Sequence, residues 1–134
     1  MTTKKEIKKF YHMNKTLFNQ YPLWEIYHWL SQDKKYLKKE LRKDPEFEDG
    51  IKYIKNEFQI DYFDFVLIDG SEFLGFSEFC KIDGATYILL DDVNTFKNYR
   101  TYYEISQRND YELLNVNLKL RNGFAIFRKR QLVN

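Results

Sequence analysis

The sequence is poor in the residues that build several common kinds of site. It has one cysteine, Cys80, in 134 residues, so no internal disulfide can form and a thiolate metal cage is excluded. Cys80 lies among apolar neighbours (Phe76, Phe79, Ile82) and is read as a small core residue rather than a nucleophile. Glycine is scarce. Gly50, Gly70, Gly75, Gly84 and Gly123 are the full set, none stands in a Gly-x-Gly arrangement, and none precedes Gly50. Charge of one sign is nearly absent, since 22 basic residues face 20 acidic ones and the net charge is +2. That balance lacks the basic stripe of a nucleic-acid binder. The nearest candidate, Lys4, Lys5, Lys8 and Lys9, is interrupted by Glu6 and reads as a solvated helix face. No stretch approaches the length of a membrane span, and no apolar run follows the first lysines as in a signal peptide. The expectation is a cytoplasmic chain with neither nucleic acid nor membrane as partner.

Aromatic residues are plentiful: 12 Phe, 11 Tyr and 2 Trp. That supply of core material argues against a disordered chain, and the length suits a single domain over residues 1–134. Two rhythms run through it, a helical segment over 1–60 and a sheet-forming part over 61–134. Leu23, Ile26, Tyr27 and Leu30 follow the spacing of one helix face, with Pro22 placed for a first turn. Tyr36, Leu37 and Leu41 suggest a second helix ending near Asp44-Pro45. Ile51, Ile54 and Phe58 mark a third after Gly50. His12 and His28 are isolated and read as packed or surface residues, because a general base needs a partner and a cleft.

After Asp61 the pattern changes. Phe63–Ile68 and Ala85–Leu90 are short, nearly continuous apolar runs, one ending at Asp69-Gly70-Ser71 and the other at Asp91-Asp92. Such runs suit parallel strands whose two faces are both covered by helices. A helix is expected from about Thr95 to Gln107 with Phe96, Tyr99, Tyr103 and Ile105 inward. Tyr111–Leu120 and Gly123–Phe127, separated by Arg121-Asn122-Gly123, read as an antiparallel hairpin.

Three phrases together resemble the carboxyl-terminal half of class I S-adenosylmethionine-dependent methyltransferases, most of all members from bacterial surface-polysaccharide gene clusters. They are Phe63-Asp64-Phe65-Val66-Leu67-Ile68-Asp69-Gly70-Ser71-Glu72-Phe73, the stretch Ala85 to Tyr99, and Leu120 to Phe127. The resemblance implies an α/β fold: a partial Rossmann-like, methyltransferase-type sheet of two parallel strands plus a C-terminal antiparallel hairpin, preceded by the helical segment. It implies that the runs are the family's fourth and fifth strands and its terminal hairpin. It further implies a methyltransferase-like activity on a saccharide or small-molecule acceptor, with S-adenosylmethionine as cofactor and Asp69, Gly70, Ser71 and Glu72 on its binding side. The family holds that cofactor mainly on a first strand, a glycine-rich turn and an acid ending the second strand. None of these is recognisable here, so the chain reads as a truncated enzyme, a non-catalytic binding or interaction module, or an inactive fragment. A sheet that starts at Phe63–Ile68 leaves an open edge, which the N-terminal helices, a second copy or a partner chain could cover.

Ligands of open parallel sheets bind beyond the carboxyl ends of the strands. Asp69 and Asp92 are therefore the candidate catalytic pair. Asp69, Asp91, Asp92 and Asn94 are candidate ligands for a hard cation such as magnesium, which prefers oxygen donors. Metal-dependent relatives in the superfamily place acids at the positions of Asp69 and Asp92, although Val93 stands where they carry asparagine. The alternative is ordinary: Asp, Ser and Asn at strand–helix junctions cap helices, and Ser71 or Asn94 fits that role. Without metal, like-charge repulsion is expected to raise the pKa of Asp69 or Asp92.

Overall fold

In the computed structural model, residues 2–13, 21–43 and 49–131 are described. The chain divides into two units, Thr2–Ile60 and Asp61–Asn134.

The first unit is helical. Helix α1, Lys4–Met13, begins with a reciprocal cap. The Glu6 N–H donates to Thr3 Oγ1 at 3.2 Å and the Thr3 N–H donates to Glu6 Oε2 at 2.7 Å, which satisfies two backbone donors that a helix start leaves open. Its four lysines are exposed while Ile7 is buried. Helix α2 runs unbroken over Leu23–Lys43, where two helices are expected from the sequence. Ser31-Gln32-Asp33 holds neither glycine nor proline, so nothing interrupts the hydrogen-bond ladder; Asp44 and Pro45 lie outside the described residues. Helices α1 and α2 pack together, and Ile26 and Leu30 are buried on the predicted face. His12 and His28 are both exposed. Helix α3, Gly50–Glu57, is capped by Asp49, whose carboxylate accepts from the Lys52 N–H at 3.1 Å.

The second unit is an α/β arrangement around a four-stranded mixed sheet. Its elements are β1 (Phe65–Ile68), α4 (Gly75–Ile82), β2 (Tyr87–Asp91), α5 (Tyr99–Ser106), β3 (Tyr111–Asn117) and β4 (Phe124–Lys129). The strand order is β1-β2-β4-β3. Strands β1 and β2 are parallel, Phe65 beside Tyr87 through Ile68 beside Leu90, and the other pairs are antiparallel. It is the hairpin's second strand that returns beside β2. Helices α4 and α5 touch each other and the sheet, so both connections lie on one face. That face is the core: Ile68, Ile88, Leu90, Ala125 and Phe127 are 3% exposed or less.

The opposite face departs from the expectation that helices cover both sides. Phe65 and Leu67 are 58% and 55% exposed. The continuous apolar runs reflect one buried face and one open apolar face rather than two buried ones. Cys80 is also corrected: it is exposed, because Gly75, Phe79 and Ile82 define the inward stripe of α4 and Cys80 follows Phe79 by about 100° of helix rotation. On α5 the inward residues are Thr101 and Ile105, and Tyr103 turns out to solvent at 56% exposure.

Strand β3 stops at Asn117, three residues before the predicted end. The Asn117 carboxamide oxygen accepts from the N–H groups of Lys119 and Leu120, both at 2.9 Å, a local turn that competes with the ladder. The β3–β4 connection is therefore longer than a tight Asn-Gly turn, with Arg121 and Gly123 both at positive φ.

Candidate functional site

The carboxyl ends of β1 and β2 bring Asp69, Asp91 and Asp92 together. One carboxylate oxygen from each lies within 4.8 Å of the others. Asp69 ends β1 and is half exposed, while Asp92 is 20% exposed. Asp92 sits at φ 53°, in the left-handed region that aspartate tolerates better than most residues. This turn lets the Asp92 carbonyl accept from the N–H and hydroxyl of Thr95 at 3.2 and 3.1 Å.

Lys97 carries no distinguishing signal in the sequence, yet it occupies the centre of the cluster. Its ammonium donates to Asp92 Oδ2 at 2.8 Å and to Asp69 Oδ1 at 2.9 Å, with the side chain 11% exposed. Burial disfavours its charge, but the two carboxylates outweigh burial and push its pKa up to about 12. Asp69 is held below the ordinary aspartate value by its bond to Lys97. The expected upward push from like-charge repulsion is thus reversed at Asp69, because a cation stands between the acids. A protonated lysine at neutral pH cannot serve as a general base.

The oxygen donors would suit a hard divalent ion, but as arranged the residues do not fit one. The ammonium of Lys97 takes the position from which a metal would reach Asp69 and Asp92. Asn94, the fourth proposed ligand, is directed elsewhere: its amide donates to the Leu118 carbonyl at 2.5 Å. Its backbone N–H donates to the Asn122 carbonyl at 2.8 Å, so the turn after β2 is tied to the β3–β4 loop. The strand ends therefore hold an internal ion-pair cluster, and Lys97 would have to move for a cation to reach Asp69 and Asp92 together.

Of the residues expected on the cofactor side, Glu72 points into the cluster. Its Oε1 accepts from the Lys97 N–H at 3.2 Å, and burial raises its pKa despite bonds from Thr95 and Lys97. Ser71 forms a local turn, its Oγ accepting from the Phe73 N–H at 3.3 Å; it does not cap α4, whose N-cap is Leu74. Gly70 lies under the Glu78 carboxylate, which an added Cβ would approach to 2.7 Å.

The ends of the strands are positioned by Asn98, another residue that the sequence does not single out. It is fully buried, and its amide donates to the Ile68 carbonyl at 2.9 Å and the Asp91 carbonyl at 2.6 Å. One side chain therefore ties β1 to β2 where both acids emerge. Gly75 makes room for this clamp, since a Cβ there would come within 2.1 Å of the Lys97 carbonyl and 2.6 Å of Asn98 Oδ1. The signal available in the sequence is the run Lys97-Asn98 after Asp91-Asp92, but asparagine before a helix is so common as an N-cap that its clamping role is invisible without coordinates.

The opposite end of the sheet carries a second polar arrangement. The Tyr111 hydroxyl donates to the Ala85 carbonyl at 2.8 Å and accepts from the Gly84 N–H at 3.1 Å. Arg108 bonds Asp83 at 2.6 Å and Asp110 at 2.8 and 2.6 Å. These contacts fix the start of β2 and serve structure.

On the open face of the sheet lies a pocket of about 310 Å³, with Leu67, Leu89, Phe124 and Ile126 as its apolar lining and Asp69 and Asp91 at its acidic end. Chemically it suits a ligand with an apolar body and a cationic or hydroxyl-bearing end. Comparison with known proteins returns no matching family model, no matching curated protein and no matching solved structure. No helix among the described residues is long and apolar enough to cross a membrane.

Proposed function

We propose that the chain is a methyltransferase-like protein: the acceptor-side half of a Rossmann-like, class I S-adenosylmethionine-dependent methyltransferase sheet, with a saccharide or other small molecule as acceptor. The observation that carries this reading is the parallel pair β1–β2 joined through α4, with Asp69 and Asp91-Asp92 emerging side by side at the strand ends. The helix and antiparallel hairpin that follow come in the order the sequence resemblance implies. In this reading Asp69 and Lys97 orient the acceptor, and Asp69, Gly70, Ser71 and Glu72 form the part of the cofactor site that this chain contributes. The glycine-rich cradle comes from a polypeptide that extends the sheet beyond the open edge of β1.

A non-catalytic binding module is the second reading, and Lys97 favours it. An ammonium bonded to both candidate catalytic acids ties them into an ion-pair cluster rather than leaving them poised for proton transfer. Chemical-shift mapping of the full chain with millimolar S-adenosylmethionine separates the two. The methyltransferase-like reading expects weak binding with shifts at Asp69–Glu72 and Asp91, and unperturbed signals at those residues would contradict it.

A further inference from the structure

The uncovered sheet face has a charge pattern that a copy of itself would match. Phe65, Leu67, Tyr87, Leu89 and Ile126 share this face by register, and Phe65, Leu67 and Tyr87 are exposed. Contiguous apolar surface of this kind marks an interaction site. At one end stand Asp69 and Asp91, beside Asp92, three acids against the single charge of Lys97, which pairs with Asp69 and Asp92. At the other end stands Arg128, directly beside Tyr87 on the neighbouring strand and exposed. Arg128 also bonds Glu112 across the hairpin at 2.6 Å, yet its planar fork has donors to spare.

We propose that two copies of this chain pack these faces together about a two-fold axis perpendicular to the strands. That operator runs the facing strands antiparallel and sets Asp91 of each copy against the end of the other that carries Tyr87, with Arg128 one strand over and within reach of its long side chain, while the apolar centres meet. An isologous contact of this kind uses each pairing twice. Pairing two copies along their β1 edges instead is disfavoured. An antiparallel match centred on Val66 and Leu67 would place Asp64 beside the second copy's Asp69, and like charges directly opposite are destabilising. The face is three strands wide and about five residues long, on the order of 15 by 16 Å. That area is smaller than a stable interface needs, so association is expected to be weak and visible only toward high micromolar concentration. The inference does not rest on the methyltransferase-like reading and competes with it for this face, since a second copy packed here covers Asp69 and Asp91 at the end of the pocket.

Sedimentation equilibrium of the full chain across the micromolar range tests it. The expected result is a mass that rises toward the dimer with concentration, and a Leu67→Glu variant that keeps its circular-dichroism spectrum but stays monomeric. The deciding arm uses Asp91→Arg and Arg128→Glu. Each variant alone faces like charge against like at both contacts and should dimerise about tenfold more weakly or worse. An equimolar mixture restores both contacts in the heterodimer and should recover the wild-type mass. A wild-type chain that stays monomeric overturns the proposal. So does a dimer indifferent to Leu67→Glu, or a mixture that associates no better than its components.

Discussion

The ammonium of Lys97 lies 2.8 Å from Asp92 Oδ2 and reaches across to Asp69 on the neighbouring strand at 2.9 Å. A cation supplied by the chain itself thus sits where three strand-end carboxylates converge. Replacing it should uncover the latent oxygen site. Wild-type protein is expected to show no shift in Tm with millimolar magnesium or calcium. Lys97→Met is expected to melt lower without metal and to gain Tm when either ion is added, because a ligand bound only by the folded state stabilises it. An equal metal-induced shift in the wild type would contradict the view that Lys97 occupies the site.

Asn98 should be among the most sensitive polar positions in the sheet unit. Asn98→Ala leaves the Ile68 and Asp91 carbonyls without their donor and opens a small void. Two lost bonds to buried acceptors predict a destabilisation of about 2–4 kcal/mol, measured by urea unfolding. A loss within experimental error would show that the strand ends hold together without the clamp.

Gly75→Ala tests the same junction from the other helix. The backbone there needs no left-handed conformation; what forbids a side chain is the Lys97 carbonyl, 2.1 Å from the position a Cβ would take. Overpacking against backbone predicts a cost of about 1–3 kcal/mol or more. Gly50→Ala, where nothing lies within 4 Å, is the control and should be neutral or slightly stabilising, as expected inside a helix.

The Lys97–Asp69 pair predicts two pH limits. Asp69 has its folded pKa lowered from 3.8, so its contribution is present above that value and is lost as pH falls through the folded pKa. Lys97 has its folded pKa raised from 10.5 to about 12, so its contribution is full below 10.5 and is lost as pH rises through about 12. Glu72 runs the other way. Burial raises its pKa above 4.5, so its protonated form is favoured by folding and its carboxylate costs stability at neutral pH. Glu72→Gln is therefore expected to raise or preserve Tm at pH 7, with the difference shrinking as pH falls through the raised folded pKa and gone below 4.5. A variant that melts well below wild type at pH 7 would mean that the bonds from Lys97 and Thr95 outweigh the burial of the charge.

Much of the fold is legible in the residues. The strand runs ending at Asp69 and Asp91, the helix-face spacing of Leu23 to Leu30 and the turn around Asn122-Gly123 each rest on local periodicity or turn chemistry, and each lies near its predicted place. The hidden features depend on distant partners. Lys97 is one lysine among many until the fold sets it against Asp69, 28 positions away. Asn98 is one more polar residue of the helix expected from Thr95 until its amide is seen bridging two strands. The open face of β1 is hidden too, because Phe65-Val66-Leu67-Ile68 has the same continuous apolar pattern whether a second helix layer covers it or not.

Calorimetric titration of the full chain with S-adenosylmethionine tests most directly whether this sheet carries the acceptor side of a methyltransferase-like cleft without the cofactor's glycine-rich cradle. The expected result is no saturable heat at micromolar ligand, with weak binding emerging only at millimolar concentration. Saturable binding with micromolar affinity would contradict it, since the strand ends of β1 and β2 would then suffice to hold the cofactor.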